Sequence, residues 1–120
     1  MIEENLHEVL RSIEESRAKR TTADAKEPVR LVAVTKNHGV AEMREAIAHG
    51  VTDIGENRIQ EAREKFETLE RTAVWHLIGH LQKNKAKYAV KLFDLIHSVD
   101  TLELAEALDK EAGKIGKRQD

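Results

Sequence analysis

The chain has 120 residues, enough for one domain with a real core, and combines 40% apolar with 35% charged residues. Its 20 basic and 22 acidic side chains nearly cancel, so a net charge of -2 gives no general pull toward nucleic acid or an anionic membrane. It has no cysteine, which excludes disulfides, thiolate metal sites and cysteine nucleophiles, and no apolar run near the roughly 20 residues a membrane span needs.

The start, Met1 to Asn5, is acidic and polar, unlike a secretory signal, so a cytoplasmic location is expected. Ile2, Leu6, Val9, Leu10 and Ile13 recur at helical spacing among charged residues and predict a helix from Ile2 to about Arg20. Thr21 to Pro28 reads as a polar linker, making residues 1–28 a helix and linker within a single 1–120 α/β domain. A strand is expected over Val29 to Val34, ending in Thr35-Lys36-Asn37-His38-Gly39, and then a helix through Met43, Ala46 and Ile47 that stops at His49-Gly50. The second strand, Val51 to Ile54, leads into Gly55-Glu56-Asn57 and a helix carrying Ile59, Ala62, Phe66 and Leu69. The third, Ala73 to Ile78, ends in Gly79-His80 before a helix over about Asn84 to Val90. The fourth, Phe93 to His97, runs into Ser98-Val99-Asp100, with Asp100 as the expected N-cap of a last helix and Glu103 three residues on.

Four strand-helix units in alternation predict a parallel sheet. Right-handed crossovers bring the loops after all its strands to one rim, where Lys36, Asn57, His80 and Ser98 converge. Ligands bind at this rim in α/β sheets and barrels. Four units make either a small open sheet or half of a (β/α)8 barrel, and an exposed apolar edge such as Leu31 to Val34 predicts self-association.

Lysine at a strand end is the side chain that forms imines with aldehydes, although most loop lysines are simply solvated. Asn57 also suits a helix N-cap, and Ser98 suits either a cap or a ligand contact. Glu56 reads as a residue that orients its neighbours or is exposed. His76 and His80, on a strand and its loop, lack the three or four convergent ligands of a zinc site, so no metal is assigned and His80 is read as a rim residue near a ligand. His76 with Ile78, and Trp75 with Leu77, share opposite strand faces, an alternation read mainly as packing. Lys83, Lys85, Lys87 and Lys91 read as a solvated helix face rather than a nucleic-acid surface.

The motifs are more specific than their composition. Leu31-Val32-Ala33-Val34-Thr35-Lys36, Asp53-Ile54-Gly55-Glu56-Asn57 with Gln60-Glu61, Trp75-His76-Leu77-Ile78-Gly79-His80-Leu81-Gln82 with Asn84-Lys85, and His97-Ser98-Val99-Asp100 with Leu104-Ala105 resemble the successive strand motifs of the pyridoxal phosphate homeostasis protein family. That family is the single-domain, alanine-racemase-like barrel group also called proline synthetase co-transcribed homologues. The resemblance covers nearly the whole chain but only the first half of the family's length. It implies a (β/α)8 barrel that holds pyridoxal 5'-phosphate as an aldimine on Lys36, with Asn57 beside the cofactor ring and His80 and Ser98 on the rim. It implies a carrier or regulator of vitamin B6 with no catalytic residue assigned, since the second base of a true racemase has no counterpart. The loops that hold the phosphate and the arginine opposite the pyridine nitrogen belong to the other half, so an N-terminal fragment or truncated form is expected. A racemase-like enzyme and a fragment that does not retain the cofactor are the alternatives. Imine formation requires a neutral amine, which partial burial or nearby positive charge would favour at Lys36.

Overall fold

The structure, a computed structural model, describes residues 1–22 and 27–120. The linker expected over Thr21 to Pro28 therefore lies partly outside the described residues. Helix α1 spans Ile2–Ala18, α2 Val40–Ala48, α3 Ile59–Leu69, α4 Ala86–Leu92 and α5 Leu102–Lys114, with one 3-10 turn, Lys83–Lys85, leading into α4. Each helix turns a narrow apolar stripe inward, such as Ala62 and Leu69 on α3 and Leu104, Leu108 and Ala112 on α5. Helix α2 ends at His49, and Gly50 follows with φ 108, a conformation glycine adopts without steric cost.

Strands β1 (Ala33–Val34), β2 (Asp53–Glu56), β3 (Val74–Leu77) and β4 (Leu95–Ile96) form one parallel sheet in the order β1-β2-β3-β4. Sequential order with right-handed crossovers puts every connecting helix on the same face. The core lies on that face, where Ile54, Trp75 and Leu77 from the strands meet Met43, Ala62, Leu69, Ala89, Val90, Leu104 and Leu108 from the helices. On the other face the register aligns Val34, Gly55, His76 and Leu95 in one row. Among the described residues no connecting helix lies on this face, and Val34 is 50% exposed. The fold is an arc of four units of a (β/α)8 barrel, with the uncovered face turned to the barrel interior.

The strands differ from expectation in length and place. Strand β1 is two residues rather than Val29 to Val34, because as an edge strand it pairs only with β2. Strand β2 runs on through Gly55 and Glu56 instead of ending at Ile54. Beyond β4, the backbone N–H of Ile96 donates to the Asp120 carbonyl at 3.0 Å, and the Gln119 amide donates to the Phe93 and Asp94 carbonyls. The tail thus lies along the outer edge of β4, where the next strand of a barrel would pair. Thr101, not Asp100, caps α5, its hydroxyl accepting from the Leu104 N–H at 3.1 Å.

Helix α3 ends at Glu70, whose φ of 51° and ψ of -146° lie in a region glycine occupies far more easily than a residue with a Cβ. Its carbonyl accepts the Trp75 indole N–H at 3.0 Å, which ties this backbone down. Glu70→Gly is expected to stabilise the fold by about 0.5–1 kcal/mol, the relief of the left-handed penalty less glycine's larger unfolded-state entropy. Urea unfolding monitored by circular dichroism measures it.

Candidate functional site

Thr35, Lys36, Asn37 and His38 form a tight turn at the carboxyl end of β1, closed by the His38 N–H donating to the Thr35 carbonyl at 3.1 Å. Lys36 and Asn37 occupy its two central positions. Asn37 has φ 65, the positive value a type II turn requires at its third residue and one asparagine adopts more readily than most. Lys36 is exposed at the apex. The partial burial expected at Lys36 is therefore absent among the described residues.

Beneath the turn lies a buried ionic network. Lys65, 7% exposed, donates to the Thr35 carbonyl at 2.7 Å, to Glu56 at 2.9 Å and to Glu61 at 2.8 Å. Glu56, fully buried, accepts the Thr35 hydroxyl on its other oxygen. Glu61 accepts the Asn37 N–H at 2.6 Å. Burial alone would push the Lys65 ammonium down, but hydrogen bonds to Glu61 and Glu56 outweigh it and hold the group above its ordinary 10.5. The hydrogen bond from Lys65, then that from the Asn37 N–H, holds Glu61 below its ordinary 4.5. Of the two readings of Glu56 in the sequence, orienting its neighbours is the one the geometry bears out.

Asn57 stands two residues beyond Gly55 and is half-buried, so strand alternation puts it on the same uncovered face and rim as Lys36. It is not the cap of α3. Arg58 holds that position, without a side-chain cap bond, because β2 runs two residues further than the sequence suggests. The loop after β3 sits directly on Asn57: a Cβ at Gly79 would lie 2.4 Å from the Asn57 carbonyl oxygen, so only glycine permits the approach. His80 is exposed and reaches across to Asp100 in the loop after β4, 3.9 Å away. The Ser98 hydroxyl is buried with no hydrogen-bond partner, and it does not cap α5. The four predicted residues thus all follow strand ends on one rim, with Lys36 and His80 exposed and Asn57 and Ser98 partly withdrawn.

The uncovered face also carries a chain of side chains whose linkage the sequence did not reveal. Arg30 lies 3.6 Å from Asp53, Asp53 meets His76 Nε2 at 2.7 Å, and His76 Nδ1 meets His97 Nε2 at 2.8 Å. Asp53 and His76 are buried, whereas His97 is exposed at the rim. Desolvation opposes the Asp53 charge, yet hydrogen bonds from His76 and Thr52 and the Arg30 charge hold its carboxyl below the ordinary 3.8. The Asp53 carboxylate is the acceptor for the His76 Nε2 proton, and the other ring nitrogen of His76 is left facing His97. The reading of His76 as mainly packing is corrected accordingly: polar side chains four residues apart in the same alternation, Asp53 with Asn57 and His76 with His80, were the available signal.

A run of parallel strand-helix units in sequential order, with a lysine on the rim in the turn after the first strand, defines one half of a (β/α)8 barrel. The chain belongs to the alanine racemase N-terminal domain family, whose sequence profile matches residues 11–120. It is similar to the pyridoxal phosphate homeostasis protein of Synechocystis sp., 47% identical over 91 residues, covering 74% of this chain and 42% of the relative. It is 38% identical over 113 residues to that of Pseudomonas aeruginosa, covering 92% of this chain and 47% of the relative. Among solved structures it resembles PipY of Synechococcus elongatus with PLP bound, at 44% identity and a TM-score of 0.76, over 97% of this chain and 50% of that one. It also resembles a protein of Bifidobacterium adolescentis, at 36% identity and a TM-score of 0.82, over 96% of this chain and 51% of that one. The chain spans about half the length of the relatives it matches. Among the described residues, no helix is long and apolar enough to cross a membrane.

Proposed function

We propose that this chain is the cofactor-anchoring half of a pyridoxal 5'-phosphate barrel serving vitamin B6 homeostasis, with Lys36 as the covalent anchor and Asn57, His80 and Ser98 as rim contacts. The observation that carries this reading is the clamped turn at the end of β1, which holds an exposed primary amine on the rim. The likeness to a PLP-bound relative and to proteins named for pyridoxal phosphate homeostasis supports it.

The residues present fit such a group. Gly55 leaves a bare strip between Val32 and Ile78, whose carbons would each lie 3.1 Å from a Cβ placed there. That strip makes a flat apolar floor suited to a planar ring. The partnerless, buried Ser98 hydroxyl is a polar group on the same rim with capacity to spare. Pyridoxal 5'-phosphate supplies, when bound, an aldehyde conjugated to an electron-withdrawing pyridine. Lys36 supplies the amine, the Asn57 amide orients beside it, and Gly79 keeps the β3 loop close enough to wall the rim. The unpaired outer edge of β1 supports self-association or pairing with strands of a second half.

Titration of the chain with pyridoxal 5'-phosphate, followed by absorbance, tests the reading. The wild-type chain should develop a band distinct from the free aldehyde, and Lys36→Ala should not. An identical response from both proteins contradicts the assignment. Amino-acid turnover measured with the cofactor added separates the carrier from a racemase-like enzyme.

A further inference from the structure

We propose that Lys65, with Glu56 and Glu61, is a positioning device that fixes the turn presenting Lys36 and thereby sets how fast and how selectively that amine captures an aldehyde cofactor. The inference rests on the reading of Lys36 as the anchor. What distinguishes this network from an ordinary buried ion pair is the set of groups it grips. Lys65 holds the carbonyl of Thr35, immediately before Lys36, and Glu61 holds the N–H of Asn37, immediately after it. Glu56 engages the Thr35 hydroxyl and Lys65 together.

The peptide units on both sides of the exposed lysine are thus tied to the second strand-helix unit. A Cα fixed at both flanks confines the amine to the volume its own side chain can sweep, and such confinement lowers the entropy to be lost when a bond forms. The stability of the fold alone does not call for this arrangement, since a buried ion pair replaced by apolar groups of similar volume is often neutral or stabilising. Asn37, which takes the positive φ of the turn, is thus the residue whose N–H Glu61 holds.

The test uses the whole chain and two readouts. The first is hydrogen exchange of the Asn37 amide by NMR, without cofactor. The second is the rate at which borohydride traps added pyridoxal 5'-phosphate on Lys36, resolved by peptide mapping. Glu61→Ala should speed Asn37 exchange about tenfold or more, the loss of a hydrogen bond to a charged group, and slow trapping at Lys36 by a comparable factor. Exchange in β3 should stay unchanged. Glu61→Gln, which keeps an acceptor for Asn37, should restore both. The paired variant Glu56→Gln with Lys65→Met removes the buried charges together, keeps the fold and releases the Thr35 carbonyl from α3, leaving only the His38 N–H within the turn on it, so it should lose the same selectivity. Selective trapping at Lys36 in the wild type that survives Glu61→Ala overturns the positioning role alone. Wild-type chain with no preference for Lys36 over its other lysines overturns the anchor reading, and the positioning role with it.

Discussion

Alanine in place of Lys65 should cost the fold about 3–5 kcal/mol, because it leaves the fully buried Glu56 carboxylate without its cation. The loss comes more from the stranded charge than from the missing contact. Adding Glu56→Gln to the same chain should therefore recover a substantial part of it, which a purely additive pair of changes would not. The pH dependence follows from the directions of the shifts. Lys65 is held above its ordinary 10.5, so its contribution is fully present below that value and is lost as pH rises through the raised one. Glu61 and Asp53 are held below their ordinary 4.5 and 3.8, so their contributions are present above those values and are lost as pH falls through the lowered ones. Stability should plateau between these limits, and Lys65→Ala should flatten the alkaline limb. Urea unfolding across a pH series measures both effects.

Trp75→Ala should be as damaging, at about 3–5 kcal/mol. The indole is fully buried at the centre of the helix-covered face, with the Phe66 ring edge-on at 5.3 Å and the N–H bonded to the Glu70 carbonyl. Its backbone N–H donates to Asp94 and its carbonyl accepts from the Asp94 N–H, so this residue also sets the register of β3 against β4. Trp75→Phe keeps most of the apolar volume and loses the indole hydrogen bond, so it should cost about 1–3 kcal/mol. Against a total of about 5–15 kcal/mol for a typical domain, the alanine variant should be largely unfolded in mild denaturant while the phenylalanine variant is not. Equal losses from the two would mean that the indole volume contributes little.

The order of elements was legible because buried parallel strands and amphipathic helices have different periods, and the two alternate along this chain without ambiguity. The end of β2 was not. Glycine and glutamate read as loop residues, but Gly55 stays in the strand because Val32 and Ile78 close over it, and Glu56 stays because Lys65 reaches it from the next helix. Lys65 itself left a trace. It occupies the same helical stripe as Ala62 and Leu69, and a cation on a core-facing stripe implies a buried partner. The Asp53-His76-His97 chain links residues more than 20 positions apart, which no local pattern reveals until the register is known.

Borohydride trapping of pyridoxal 5'-phosphate at low concentration, followed by peptide mapping, tests the central claim most directly. Borohydride makes an imine permanent, and mapping separates Lys36 from Lys65 and from the exposed lysines of the 3-10 turn and α4. Label concentrated on Lys36 is the predicted result and would mean that this half of the barrel alone makes a reactive amine. Label spread over Lys83, Lys85, Lys87 and Lys91, or absent, would contradict it.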